Sequence, residues 1–159
     1  PLGRKLTNIS NRPFELEEYG SFSSAEGYWF WLRLNKTKEE FRTMDAFEAK
    51  KQGSLMVQSP FNIVKPVDDY FKEDFKKGIR AKLKQNKEIL IELLKTDLPL
   101  THYYVKGCVV ENKPQHAWIT DEIERIRDIC HKRMFEVGQL KNWPVNKEEI
   151  KEIKKPKFK

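Results

Sequence analysis

Apolar residues recur along this chain at the intervals of helices, and the clearest run is residues 67–83. Val67, Tyr70, Phe71, Phe75, Ile79 and Leu83 nearly all fall three or four apart, which puts them on one helical face. Gln85 and Asn86 break the run, and Asn86 is placed to cap a second helix over 87–95 with Ile89, Leu90, Leu93 and Leu94 inward. Residues 118–137 predict a third long helix: Ile119, Ile123, Ile126, Cys130, Met134 and Val137 are spaced by 4, 3, 4, 4 and 3, and Gly138 ends it. The four residues from Thr37 to Glu40 have the capping-box pattern, with Phe41, Met44 and Phe47 at helical spacing and Gly53 as the stop. Residues 54–66, with Pro60 and Pro66, read as a loop with a short strand at 61–64. The β-branched and aromatic stretch 98–110 reads as a strand interrupted at Gly107. Asn146 starts a short helix carrying Ile150 and Ile153, and residues 5–16 read as two short extended pieces around Pro13.

One stretch departs from amphipathic spacing. Tyr28, Trp29, Phe30 and Trp31 are consecutive, so in a helix capped by Ser23 or Ser24 they cover every face. Such a helix is buried, and the 67–83 and 118–137 helices are expected to pack on it. Glu26 lies just ahead of the rings. It is either paired in the interior or lines a pocket, where a carboxylate beside flat rings suits a base or a sugar; the alternative is an exposed first turn near the helix N-terminus.

The 159 residues suit one domain with a proper core. The 12% aromatic content excludes a disordered chain, although 35% of residues are charged. A net charge of +7 favours anionic partners. Part of that charge sits in a basic tail, where Lys151, Lys154, Lys155, Lys157 and Lys159 cluster. Cys108 and Cys130 form no CxxC, and the scattered His102, His116 and His131 have no ligand spacing, so no metal site is expected. Reduced thiols in a cytosolic protein are the simplest reading. No apolar run suits a membrane span, and no signal peptide is read. Pro1-Leu2-Gly3 reads as a remnant of protease cleavage.

No GxGxxG, P-loop, GxSxG or HExxH motif occurs. Lys82 is the more promising group. It lies on the edge of the apolar stripe, where a lysine can bury its stem and offer its amine to a cleft. Burial lowers an amine's pKa and makes it a nucleophile or Schiff-base former. The alternative is a solvated lysine on a basic helix.

These pieces together resemble the NADAR family, also called YbiA-like proteins. Leu6-Thr7-Asn8-Ile9 and Pro13-Phe14 are similar to its opening LSNF…PF, and Ser24-Ala25-Glu26-Gly27-Tyr28 to its SxEHxYQ helix. Residues 46–53, AFEAKKQG, resemble its EAKRLG segment, and residues 79–86, IRAKLKQN, with Leu90, Leu93, Leu94 and Thr96, its LRAKFxQN stretch. The chain departs from the family at Gly27 (His there), Phe30 (Gln) and Arg33 (Lys). It shows no WGxGxxGxN segment, only Gln115-His116-Ala117-Trp118 in that region.

The resemblance implies a mostly helical α+β domain with a small sheet over residues 4–143, followed by the basic tail 144–159. It implies an N-glycosidase that removes ADP-ribose from modified guanine bases in nucleic acid. Alternatives are a non-catalytic binder of ADP-ribose or a related nucleotide, or an N-glycosidase of riboflavin-pathway intermediates. A basic nucleic-acid-binding protein with no enzyme site is a third class. Under the first reading Glu26 stabilises an oxocarbenium-like transition state and Lys82 reaches the ribose. Asn8, Arg33, Gln85 and Asn86 bind ribose or phosphate, and Trp29 and Trp31 stack the base. The expected pocket lies between the start of the aromatic helix and residues 82–86. No cofactor is implied. The expected partner is an ADP-ribose-like nucleotide or ADP-ribosylated nucleic acid, not a membrane, in the cytoplasm of a bacterial or phage-infected cell.

Overall fold

A computed structural model describes residues 1–153. Leu2–Leu6 form a short helix, α1, so the residues set aside as a remnant join a helical turn. A hairpin follows, β1 (Phe14–Leu16) with β2 (Gly20–Phe22), paired antiparallel with Phe14 opposite Phe22 and Leu16 opposite Gly20. Only the second of the two pieces expected to be extended is a strand.

The hydroxyl of Ser24 accepts the amide of Gly27 at 3.1 Å and starts α2 (Ala25–Arg33), as the serine pair predicts. Tyr28, Phe30 and Trp31 are buried and Trp29 partly so. The helix closes through Asn35 and Lys36, both in the left-handed region at φ of +56° and +59°.

The capping-box pattern at 37–40 does not open the next α-helix. Residues Glu39–Arg42 form a single 3-10 turn, and α3 (Ala46–Met56) begins at Asp45, whose carboxylate accepts the amides of Phe47 and Glu48. Gly53 does not stop α3 either. It lies inside the helix because a Cβ there would enter the ring of Phe30. The glycine thus marks a close helix approach and not a C-cap. Residues 61–64 form no strand.

Asp68 caps α4 (Asp69–Gln85), two residues later than the apolar spacing predicts. Phe71, Phe75, Ile79 and Leu83 are buried as expected, whereas Tyr70 is exposed. α4 lies against α2: Tyr28 stacks on Phe75 with centroids 5.8 Å apart and donates its hydroxyl to the Asp74 carbonyl at 2.9 Å. Trp29 meets Phe71 and Phe75 edge-on. Gly78 permits this approach, since a Cβ there would press on the Tyr28 ring.

Contacts divide the chain into two compact units, Pro1–Ile89 and from Leu90 on. The boundary falls within α5 (Lys87–Leu94). The second unit holds the hairpin β3 (Tyr103–Lys106) and β4 (Val109–Asn112), with Val105 opposite Val110. The predicted interruption at Gly107 is its turn, at φ +60°. α6 (Ala117–Glu136) follows, then α7 (Lys147–Lys151), capped by Asn146. Arg127 of α6 donates to the carbonyls of Thr96 and Leu98, and His131 meets the Leu94 carbonyl at 2.8 Å. Ile150 and Ile153 are buried. The stretch read as a basic tail from residue 144 therefore carries two buried residues, and its last lysines, within 154–159, lie outside the described residues. The described residues are mostly helical α+β with two small antiparallel sheets.

Candidate functional site

Glu26 occupies the first turn of α2 and is only 4% exposed. Burial denies the carboxylate water and raises its pKa. Lys50 of α3, with its ammonium 3.3 Å from Oε1, works against that rise. The backbone amide of Glu26 donates to the carbonyl of Asn8 at 3.0 Å. The segment after α1 is thereby pinned to the start of the aromatic helix.

Lys82 reaches the same segment from α4. Also 4% exposed, it directs Nζ to the carbonyl of Thr7 at 2.7 Å, to Ser10 Oγ at 2.8 Å and to the carbonyl of Leu6 at 3.4 Å. No described carboxylate pairs with it. Burial, reinforced by the nearby positive charge of Arg12, lowers its pKa to about 7. Three oxygen acceptors do favour the ammonium form, but desolvation without a counter-charge outweighs them. A pKa lowered this far puts the neutral, nucleophilic form of the amine within reach near neutral pH.

Gln85 and Asn86 hold the first hairpin. The Gln85 amide accepts from the Glu15 amide at 2.8 Å and donates to the Glu15 carbonyl at 2.7 Å. Asn86 Nδ2 donates to the carbonyls of Pro13 and Lys82. Arg12 pairs with Glu88. Residues 6–16 thus lie along the C-terminal half of α4, through contacts made by Lys82, Gln85 and Asn86.

The other predicted site residues lie elsewhere. Trp31 donates Nε1 to Glu39 at 2.8 Å and is enclosed by Tyr19, Phe22, Tyr28 and the guanidinium of Arg42. Trp29 packs on α4. Arg33, two turns beyond Glu26, donates to the Lys65 carbonyl at 2.6 Å. So the structure brings Glu26, Asn8 and Lys82 to one segment, sets Gln85 and Asn86 beside it, and leaves Trp29, Trp31 and Arg33 apart. Gly27 also has a reason: a side chain there would strike the carbonyl of Phe41.

Two members of the arrangement escape sequence reasoning. Lys50 is the counter-charge of Glu26, and Ser10 is a partner of Lys82. Lys50 lies in the AFEAKKQG segment, but nothing in one sequence says which of Lys50 and Lys51 turns toward Glu26. A second cluster was also not read. Asp74 binds Lys36 at 3.2 Å and Lys77 at 2.9 Å, Lys77 reaches Glu18, and Lys36 donates to the Tyr19 hydroxyl at 2.6 Å.

In the second unit His102 and His116 place their rings 5.4 Å apart. Among the described residues no group of three or more His, Cys, Asp or Glu is arranged to hold a metal ion, and no helix is long and apolar enough to cross a membrane. Cys108 and Cys130 are free thiols. Comparison with known proteins finds no family model, curated protein or solved structure that matches the chain.

Proposed function

We propose that this chain cleaves N-glycosidic bonds to ADP-ribose, with modified guanine in nucleic acid as the substrate, and that Glu26 and Lys82 carry the step. One observation supports the reading above others: a buried lysine with a pKa near 7 and a buried carboxylate are tied to the same short segment, 6–10. Perturbed groups of complementary kind, held together, are what acid–base and nucleophilic chemistry needs.

As the glycosidic C–N bond breaks, its electron pair leaves with the base, and positive charge grows at the anomeric carbon. The Glu26 carboxylate lowers the energy of that charge. The lone pair of Lys82 Nζ then bonds to the carbon, and the proton it sheds goes to the departing base. Opening of the sugar ring converts the adduct to an imine, which water hydrolyses to ADP-ribose and free amine. Residues 6–10 occupy the amine, so they must withdraw before a ribose reaches it. Lys50 opposes the rise that burial imposes on the Glu26 carboxyl and so favours its ionised form.

The test is single-turnover release of ADP-ribose from an ADP-ribosylated guanine oligonucleotide, with borohydride added to reduce the imine. Wild type should release ADP-ribose and gain the mass of the reduced sugar adduct on Lys82. Glu26→Gln should slow release by about 10²–10³-fold, and Lys82→Ala should form no adduct. Release at the wild-type rate by both folded variants would sink the assignment. Binding of ADP-ribose without any release would replace it with the binder reading.

A further inference from the structure

We propose that a cleft at the C-terminal end of α2 binds a free α-amino acid with a large apolar side chain. The cleft measures about 430 Å³ and is framed by the end of α2, residues 65–68 and the first turns of α4. That volume falls within the ordinary range for small-molecule sites. It begins at Leu32, about 9 Å along α2 from Glu26, and the proposal does not depend on the glycosidase reading.

Its walls sort into three kinds. Leu32, Pro66 and Phe71 are apolar and suit a hydrocarbon or aromatic side chain. Lys36 and Asp74 bind each other, and Tyr19 and Lys77 bind them in turn. Three polar groups are left. Lys65 is exposed, and no described carboxylate pairs with its amine. Asp68 spends one oxygen on the Phe71 amide, and its other oxygen has no described partner. The side-chain amide of Asn35 is likewise uncommitted among the described residues. One cation, one carboxylate oxygen and one amide beside an apolar wall complement a zwitterion. With Asp74 already paired to Lys36 and Lys77, a phosphate would meet one carboxylate, Asp68, beside one cation, Lys65, so the cleft offers it no net attraction. The wall is also held in a costly conformation: Asn35 and Lys36 are consecutive left-handed residues, neither of them glycine. Tyr70 stands at the rim, 87% exposed, where its ring can cover an occupant.

Isothermal titration with L-tryptophan, L-phenylalanine and L-leucine tests this. Saturable binding is expected. Lys65→Gln and Asp68→Asn should each weaken L-tryptophan about tenfold or more, and asparagine still caps α4, so circular dichroism should stay unchanged. L-tryptophan methyl ester, which lacks the carboxylate, should be indifferent to Lys65→Gln. N-acetyl-L-tryptophan, which lacks the ammonium, should be indifferent to Asp68→Asn. Glu26→Gln should bind L-tryptophan as wild type does. Absence of saturable binding at millimolar amino acid would overturn the proposal. So would wild-type affinity in both variants, or tighter binding of adenosine or AMP than of any amino acid.

Discussion

Asp74 and Lys82 stand two turns apart on α4 with Gly78 midway, and their surroundings treat a lysine amine in opposite ways. Around Asp74, burial alone would depress Lys36, but hydrogen bonds from the amine to Tyr19 and Asp74 raise its pKa. Lys77, bonded to Asp74 and Glu18, is raised further. At Lys82 the oxygens within reach among the described residues are two carbonyls and a hydroxyl, and the pKa falls to about 7 from an ordinary 10.5. The difference lies in the counter-charge. Dipolar acceptors satisfy an ammonium's geometry without replacing the solvation that burial removes. One helix therefore keeps a structural lysine cluster and a reactive candidate side by side.

The harshest way to break the comparison is to part the helices that hold both ends. Gly78→Leu forces a side chain into the Tyr28 ring. It should destabilise the chain by about 3 kcal/mol, read as a lowered denaturant midpoint.

Lys82→Met sharpens the comparison from the depressed side. With the folded pKa near 7 and the unfolded value near 10.5, the unfolded chain binds more protons between those limits. Wild-type stability should rise with pH across that window, by about 1 kcal/mol per pH unit. The methionine variant should lose that rise in urea titrations from pH 6 to pH 10.

The smallest effect belongs to the paired end. Asp74→Asn should cost about 1 kcal/mol at neutral pH, because the three partners are partly solvated. Burial pushes the Asp74 carboxyl up, but Lys77 and Lys36 outweigh it and lower it below 3.8. Its contribution is present above 3.8 and disappears as pH falls through the lower folded value. The raised lysines act oppositely: their contribution is present below 10.5 and fades as pH rises through their folded values. The asparagine variant should flatten both limbs of the thermal-melting profile.

What could be read in the sequence is what is local. The spacing of Phe71, Phe75, Ile79 and Leu83 gave α4 its buried face, Ser24 its predicted role as a cap, and the four rings their place in a core. For Lys82 the stripe's edge allowed either a buried stem or a solvated lysine, and packing against residues 6–10 decided for burial. The failures share one cause. Gly53 looks like a stop because the ring of Phe30 that requires it lies 23 residues away in sequence. Thr37–Glu40 has a cap's pattern, but Phe41 is buried in a 3-10 turn and Asp45 begins the helix. The Asp74 cluster draws on residues 18, 19, 36, 74 and 77, which no spacing rule connects. Trp31 looked like a stacking surface because its consecutive neighbours hid which ring would be enclosed.

The Gln85 side chain has a consequence for how this molecule meets its own copies. Its amide presents to Glu15 one acceptor and one donor, at 2.8 and 2.7 Å, as a residue of a neighbouring strand would. Glu15 stands opposite Ser21 and turns its backbone groups outward, away from β2. Gln85 is in effect a strand one residue long, fixed by a helix, that completes the outer rung of the hairpin. A strand from another molecule then finds no open rung at Glu15 on which to begin pairing, so one glutamine blocks the first step of edge-to-edge aggregation there.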